Sequence, residues 1–283
     1  MGLTSFMGVD MIPLLLILSL SINKSWRPQR RQSVFQYFFP IFFLVLVAIP
    51  KDAAASSRST PWLYQPRTMT KGEVEYEQWV TWKTNKKSDS RFEEFRFRHE
   101  IEWGVTDAFQ LAFYVADWRH KRTSTEEHTY FHDIAVEAIY QLQAPNPDQL
   151  GMALYGEVKY GSEFFELEGK LLFEKELDQI NLLYNFTIEA EWEGQDFDED
   201  KGKIENAFAI TYQPTPALTI GAQAIWEIEF PDWSEQADDV VSIGPSISYL
   251  SDGWWISVAP LFQVTNIDTE PDLQIRLLIG VDF

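Results

Sequence analysis

From about residue 72 the chain alternates apolar and polar positions with a period of two. Phe165, Leu167, Gly169, Leu171 and Phe173 share one parity, and Glu166, Glu168, Lys170 and Glu174 the other. After a turn near Asp178, Leu182, Tyr184, Phe186, Ile188, Ala190 and Trp192 alternate with Asn185, Thr187, Glu189, Glu191 and Glu193. This is the pattern of a strand with two unlike faces, and no stretch past Ala55 keeps a helical period. Twelve such runs are predicted, at 72–84, 91–105, 107–119, 129–143, 150–160, 163–176, 180–193, 203–213, 217–230, 239–250, 254–265 and 271–283. Most are roughly 10–14 residues long. Strands of soluble sheets average about 5–6 residues, whereas a tilted membrane-crossing strand needs about 9–11.

The connections alternate in kind. One set is tight: Thr106-Asp107, Pro145 to Asp148, Leu177 to Gln179, Pro214 to Pro216 and Asp252-Gly253. The other is longer and charged, at 84–90, 120–128, 194–202, 231–238 and 266–270, with a tight exception at Gly161-Ser162. Short periplasmic turns opposite longer external loops are the asymmetry of an outer-membrane barrel. An even strand number puts both ends on the periplasmic side. The lipid-facing parity reads Leu273, Ile275, Leu277, Ile279, Val281 and Phe283 in the last strand. It reads Leu218, Ile220, Ala222, Ala224, Trp226 and Ile228 in the ninth, and Phe95, Phe97, His99, Ile101 and Trp103 in the second. Aromatics gather near strand ends, as interfacial girdles do: Trp82, Trp192 and Phe230 toward the loops, Trp103, Phe109, Tyr212, Tyr249 and Trp254 toward the turns.

Composition narrows this picture. The chain has 283 residues, no cysteine, 15% aromatics and a net charge of −20. Disulfide scaffolds and cysteine zinc sites are excluded, and the acidity argues against nucleic acid as a partner. Residues 1–55 are a different kind of sequence. They hold two short apolar runs, a basic cluster at Arg27, Arg30 and Arg31, and the small residues Ala53-Ala54-Ala55. This reads as a leader with a signal peptide cleaved after Ala55, on an N-terminus that is over-long for one. An uncleaved anchor is the alternative. Residues 56–71 are then expected to be a short periplasmic segment and 72–283 the barrel.

The ending Leu277-Leu278-Ile279-Gly280-Val281-Asp282-Phe283 alternates and stops on a terminal Phe. It resembles the C-terminal assembly signal of Gram-negative outer-membrane proteins, carried by Leu277, Ile279, Val281 and Phe283. With the alternating runs, the chain resembles porin-like outer-membrane β-barrels without singling out a named family. That resemblance implies an all-β, single antiparallel up-and-down barrel of about twelve strands behind a signal peptide. It also implies an outer-membrane location, with membrane lipid and the barrel-assembly machinery as partners.

Pro245 and Pro260 depart from the pattern, because a closed barrel has no edge strand for them. With Asp252-Gly253 as a two-residue turn, they fall opposite each other and confine the missing rungs to one seam.

The inward parity carries the candidate chemistry: Glu73, Glu75, Glu94, Arg96, Arg98, Glu100, Glu102, Glu166, Glu168, Glu189, Glu191 and Glu227. Acids outnumber bases, and unpaired charges are costly in a dry core. A water-filled acidic lumen follows, passing small hydrophilic solutes or cations, with Arg96 and Arg98 shaping its constriction. No segment between strands is long enough to fill the lumen, which favours an open interior. Twelve strands lie between filled and open barrels. The alternative is therefore a non-conducting structural or adhesion barrel that binds a partner through its loops. A soluble β-sandwich is the third reading.

No enzyme is expected. None of the four histidines precedes a Ser by two residues, and Gly-x-Ser-x-Gly is absent. No cofactor or metal is expected either. The acidic loop Asp196, Asp198, Glu199, Asp200 lacks calcium-loop spacing, and His128 and His132 lie about 13 Å apart along a strand.

Overall fold

The computed structural model describes residues 58–194, 196–197, 199–233, 235 and 239–283. The leader and its cleavage site lie outside the described residues. The strands are β1 (Val74–Lys86), β2 (Asp89–Thr106), β3 (Phe109–Arg122), β4 (Glu127–Phe131), β5 (Asp133–Gln143), β6 (Gly151–Gly161), β7 (Phe164–Leu177), β8 (Ile180–Glu193), β9 (Glu199–Thr215), β10 (Leu218–Phe230), β11 (Val240–Ser251), β12 (Trp254–Gln263) and β13 (Leu273–Asp282). Apart from β4 and β5, each pairs antiparallel with its neighbours in chain order. The sheet closes where β1 meets β13, from Glu75↔Asp282 to Thr84↔Leu273. β4 and β5 both pair with β3 and form one stave, so the barrel has twelve staves and no free edge among them.

Alternation puts the apolar parity outside. Ile101, Phe113, Val136, Leu154, Leu171, Ile210, Ile220 and Ile247 are each 40–50% exposed, in a belt around the wall. A soluble monomer does not present so continuous an apolar surface. A hydrocarbon layer is the solvent that suits it. The sandwich reading fails because the buried parity is polar: Glu75, Glu100, Glu137, Glu157, Asn185 and Thr187 are all at most 3% exposed.

Two expected loops are mostly strand. β1 and β2 join through Lys87-Ser88, and the ladder runs out to Lys86↔Asp89. β3 and β4 pair out to Arg122↔Glu127. These extensions are polar on both faces, so alternation does not mark them. The predicted single run at 129–143 is broken at His132. Opposite it, Val115 bulges, because His99 pairs Ala116 while Glu100 pairs Tyr114. The bulge changes the parity of β3, so Tyr114 and Asp117 both face inward.

The proline seam follows the expected register. Ile243↔Phe262 and Ile247↔Val258 are paired, and the rungs between them are missing. Pro245 keeps its partner Ala222 on β10, and Pro260 keeps Ile275 on β13. Gly244 makes the seam possible, since a Cβ there would lie 1.8 Å from the Pro260 carbonyl oxygen.

Residues 58–70, expected outside on the periplasmic side, run inside the barrel. Leu63 and Tyr64 each centre a buried apolar cluster. Tyr64 packs with Trp79, Ile139, Tyr155, Leu172, Trp255 and Leu278. Leu63 packs with Leu183, Ala207, Ile225 and Leu261. The core of this barrel is therefore its lumen at the turn end.

Candidate lumen site

Residues 58–70 form a loop that enters at the turn end and reaches mid-barrel. At its base, Thr68 donates to the Asp107 carbonyl, and the Met69 amide donates to Gln110 at 2.9 Å. Arg67 grips Glu174 at 3.0 Å and Glu176 at 2.5 Å. Higher up, Asn185 clamps the Tyr64 backbone twice. Its Oδ1 accepts from the Tyr64 amide at 2.7 Å, and its Nδ2 donates to the Tyr64 carbonyl at 2.9 Å. Thr60 donates to Gln223 at 2.9 Å. At the apex, the Arg276 guanidinium lies 3.6 Å from the centre of the Trp62 ring, and its Nη1 donates to the Pro61 carbonyl. Arg58 comes back down to Glu77 and Glu102, at 3.0 and 3.1 Å. It also lies over the rings of Tyr64 and Trp79.

This loop divides the lumen into two cavities. The one on the loop side holds about 560 Å³ and has Trp62 and Tyr64 among its lining residues. The one on the turn side holds about 470 Å³ around Arg58, Gln65 and Arg67.

The predicted site residues separate accordingly. Arg96, Arg98, Glu166, Glu168, Glu189, Glu191 and Glu227 line the upper cavity. Glu75, Glu100 and Glu102 do not; Glu100 and Glu102 face Arg58 below, together with Glu77, and Glu75, beside Glu77 and Glu102, accepts from the Trp255 indole. Glu94 is buried beside Arg96. Glu73 accepts from the Thr70 amide at the turn-end rim and lines neither cavity. The carboxyl-terminal Leu277 and Ile279 face out from β13, paired with Val80 and Gln78 of β1.

The upper cavity is closer to charge balance than the sequence suggests. Twelve acidic and nine basic residues line it, among them Lys83, Arg119, Lys201 and Lys203. Arg276, Thr81, Arg96 and Arg119 stand in one row across β13, β1, β2 and β3. The facing wall interleaves charges. Lys159 bridges Glu157, Glu166 and Glu168 at 2.6–3.3 Å. Lys203 holds Glu189 at 2.8 Å and Glu227 at 3.8 Å. At the outer rim, burial raises the Glu270 carboxyl above its ordinary pKa, partly offset by Lys86. Asp117, His132 and Asp133 also converge here, but Asp117 already pairs with Arg98 and Arg119, which opposes a metal ion.

The sequence reading missed residues 58–70. Trp62, Leu63, Tyr64 and Met69 were the available signal, because a solvated linker has no use for four large apolar side chains in so short a span.

A closed barrel, an apolar outer belt and a polar, partly filled lumen define a transmembrane β-barrel of the outer-membrane type. The chain belongs to a family of unknown function, DUF6662, whose model matches residues 62–270. No curated protein matches it. Among solved structures it is similar to the NanC porin, at 10% identity over 74% of this chain and 98% of that one, with a TM-score of 0.48. It is similar to the translocator domain of the autotransporter NalP from Neisseria meningitidis, at 9% identity over 76% and 90%, with a TM-score of 0.47. LpxR from Salmonella typhimurium is similar at 8% identity over 74% and 100%, with a TM-score of 0.45.

Proposed function

We propose that this barrel is a passive conduit for small hydrophilic solutes across the outer membrane, closed in the present conformation by residues 58–70. The supporting observation is the pair of polar cavities, one on each side of that loop. Among the described residues, the loop joins the wall covalently at its Gly72 end. Withdrawal toward the turn end would join the cavities without breaking a strand pair. Glu166, Glu168, Glu189, Glu191 and Glu227 would give the opened path a preference for cations. Membrane lipid and the barrel-assembly machinery are its proposed partners, and a cleaved signal peptide its proposed route outward.

The test is single-channel recording in planar bilayers under a KCl gradient, on the full chain and on a chain lacking residues 58–70. Stepwise, cation-selective conductance in the deletion and little in the full chain is the expected result. Inserted protein that never conducts in either form overturns it. That outcome would favour the second reading, a closed barrel acting through its external loops, which the dense ion pairing of the upper wall supports.

A further inference from the structure

The β1–β2 seam sets glutamate against glutamate on two successive inward rungs, Glu75↔Glu102 and Glu77↔Glu100. Glu137 joins them from β5, and all five are at most 3% exposed. Like charges placed directly opposite are destabilising. One guanidinium serves the group: Arg58 reaches Glu77 at 3.0 Å, Glu102 at 3.1 Å and Glu100 at 3.9 Å. Neutral donors also reach the group. Trp79 Nε1 donates to Glu77 at 2.7 Å, Trp255 Nε1 to Glu75 at 3.1 Å, and the Tyr114 hydroxyl to Glu137 at 2.7 Å. Gly280 lets Trp255 reach across β13, since a Cβ there would lie 2.1 Å from its Nε1. Both oxygens of Glu100, which is fully buried, accept no hydrogen bond among the described residues.

These oxygens are spaced for a cation. One oxygen each from Glu75, Glu77 and Glu102 lie within 4.8 Å of one another, and so do oxygens of Glu100, Glu102 and Glu137. Calcium takes oxygen ligands at about 2.3–2.6 Å, so ligands across one ion stand about 4.6–5.2 Å apart.

We infer that the carboxylates of Glu75, Glu77, Glu100, Glu102 and Glu137 form a divalent-cation site that Arg58 covers while the lumen is closed. Calcium fits best, because its shell is flexible and built from oxygens alone. The inference deepens the proposed function and rests on it, since residues 58–70 must be able to leave. Ion and Arg58 then exclude each other, and calcium favours the withdrawn state by linkage.

The probe is terbium, a luminescent substitute for calcium, with Trp79 and Trp255 as built-in antennae. Full chain carrying Arg58→Ala is folded in detergent micelles, with folding checked by heat-modifiable gel mobility. Arg58→Gln serves as a second variant should the first fail to fold. Arg58→Ala is expected to raise terbium affinity about tenfold or more, the usual range for coupled ligands. Excess calcium should quench the tryptophan-sensitised emission. Adding Glu100→Gln and Glu102→Gln should abolish it, while adding Glu163→Gln, in the exposed turn between β6 and β7, should not. Folded Arg58 variants without sensitised emission overturn the site. Bilayer recordings on the same proteins separate the two ideas. Conductance without emission removes only the site, and emission without conductance removes only the conduit.

Discussion

The two halves of the lumen carry the same kind of acid and neutralise it in different ways. In the upper half, Lys159, Lys170 and Lys203 come from the wall itself and stand between the glutamates they balance. In the lower half, no lysine of the described residues pairs with Glu77, Glu100 or Glu102, and Arg58 brings their counter-charge from outside the wall. A self-balanced wall can stay wet and open. A wall that depends on a loop needs another cation when the loop leaves. The contrast sets a lysine-laced cavity above against apolar clusters and a loop-covered cavity below.

The largest effect should come from removing the loop. A chain without residues 58–70 loses both apolar clusters' central residues, Leu63 and Tyr64, and the lower counter-charge. Conductance steps absent from the full chain should appear. A full chain that conducts equally well would erase the distinction between the halves.

Next is the cost of unpairing each half. Arg58→Ala leaves buried carboxylates without their guanidinium and should destabilise the barrel by about 3–5 kcal/mol. Lys203→Ala strips a charge that water still reaches, and about 1 kcal/mol or less is expected. Urea titration of micelle-bound protein reads both. Equal losses would mean the upper wall is as dry as the lower.

How much of this was legible beforehand follows from the same physics. The staves, their order, the outward belt and even the Pro245–Pro260 seam are periodicity and turn spacing, which are local. The lower site is not local. It needs a loop folding back onto strands more than a hundred residues away, such as Tyr64 onto Asn185. Nor is the register of its acids local. A two-residue turn at Lys87-Ser88 alone would set Glu75 opposite Glu100 and Glu77 opposite Arg98. The bulge between Thr84 and Lys86 shifts the ladder, so that Glu75 meets Glu102 and Glu77 meets Glu100. Such rungs call for a counter-charge or a shared proton, and alternation gives no sign of the bulge that creates them.

Selectivity should differ less sharply. In the loop-deleted chain, Glu166→Gln, Glu189→Gln, Glu191→Gln and Glu227→Gln together should lower cation preference a few-fold, because removing charge from a focusing cleft lowers the local counter-ion concentration. Reversal potentials under a salt gradient measure it. In the full chain, any residual current should respond to these upper changes and not to Glu75→Gln, which lies beneath the loop.

The clamp that keeps the halves apart gives the last test. Asn185 is 2% exposed and makes both of its bonds to the Tyr64 backbone. Asn185→Ala leaves a buried amide and carbonyl without partners, at about 1–3 kcal/mol, or roughly one to two decades in the docking equilibrium. Gln223→Ala removes the single bond from Thr60 and should do less. Hydrogen exchange at the Tyr64 amide reports the opening directly: faster exchange in Asn185→Ala, with β-ladder amides unchanged, is the expected pattern. A Tyr64 amide that stays protected would mean the apolar packing of Leu63 and Tyr64 holds the loop unaided. The lower half would then be a true core, closed by burial rather than by polar latches.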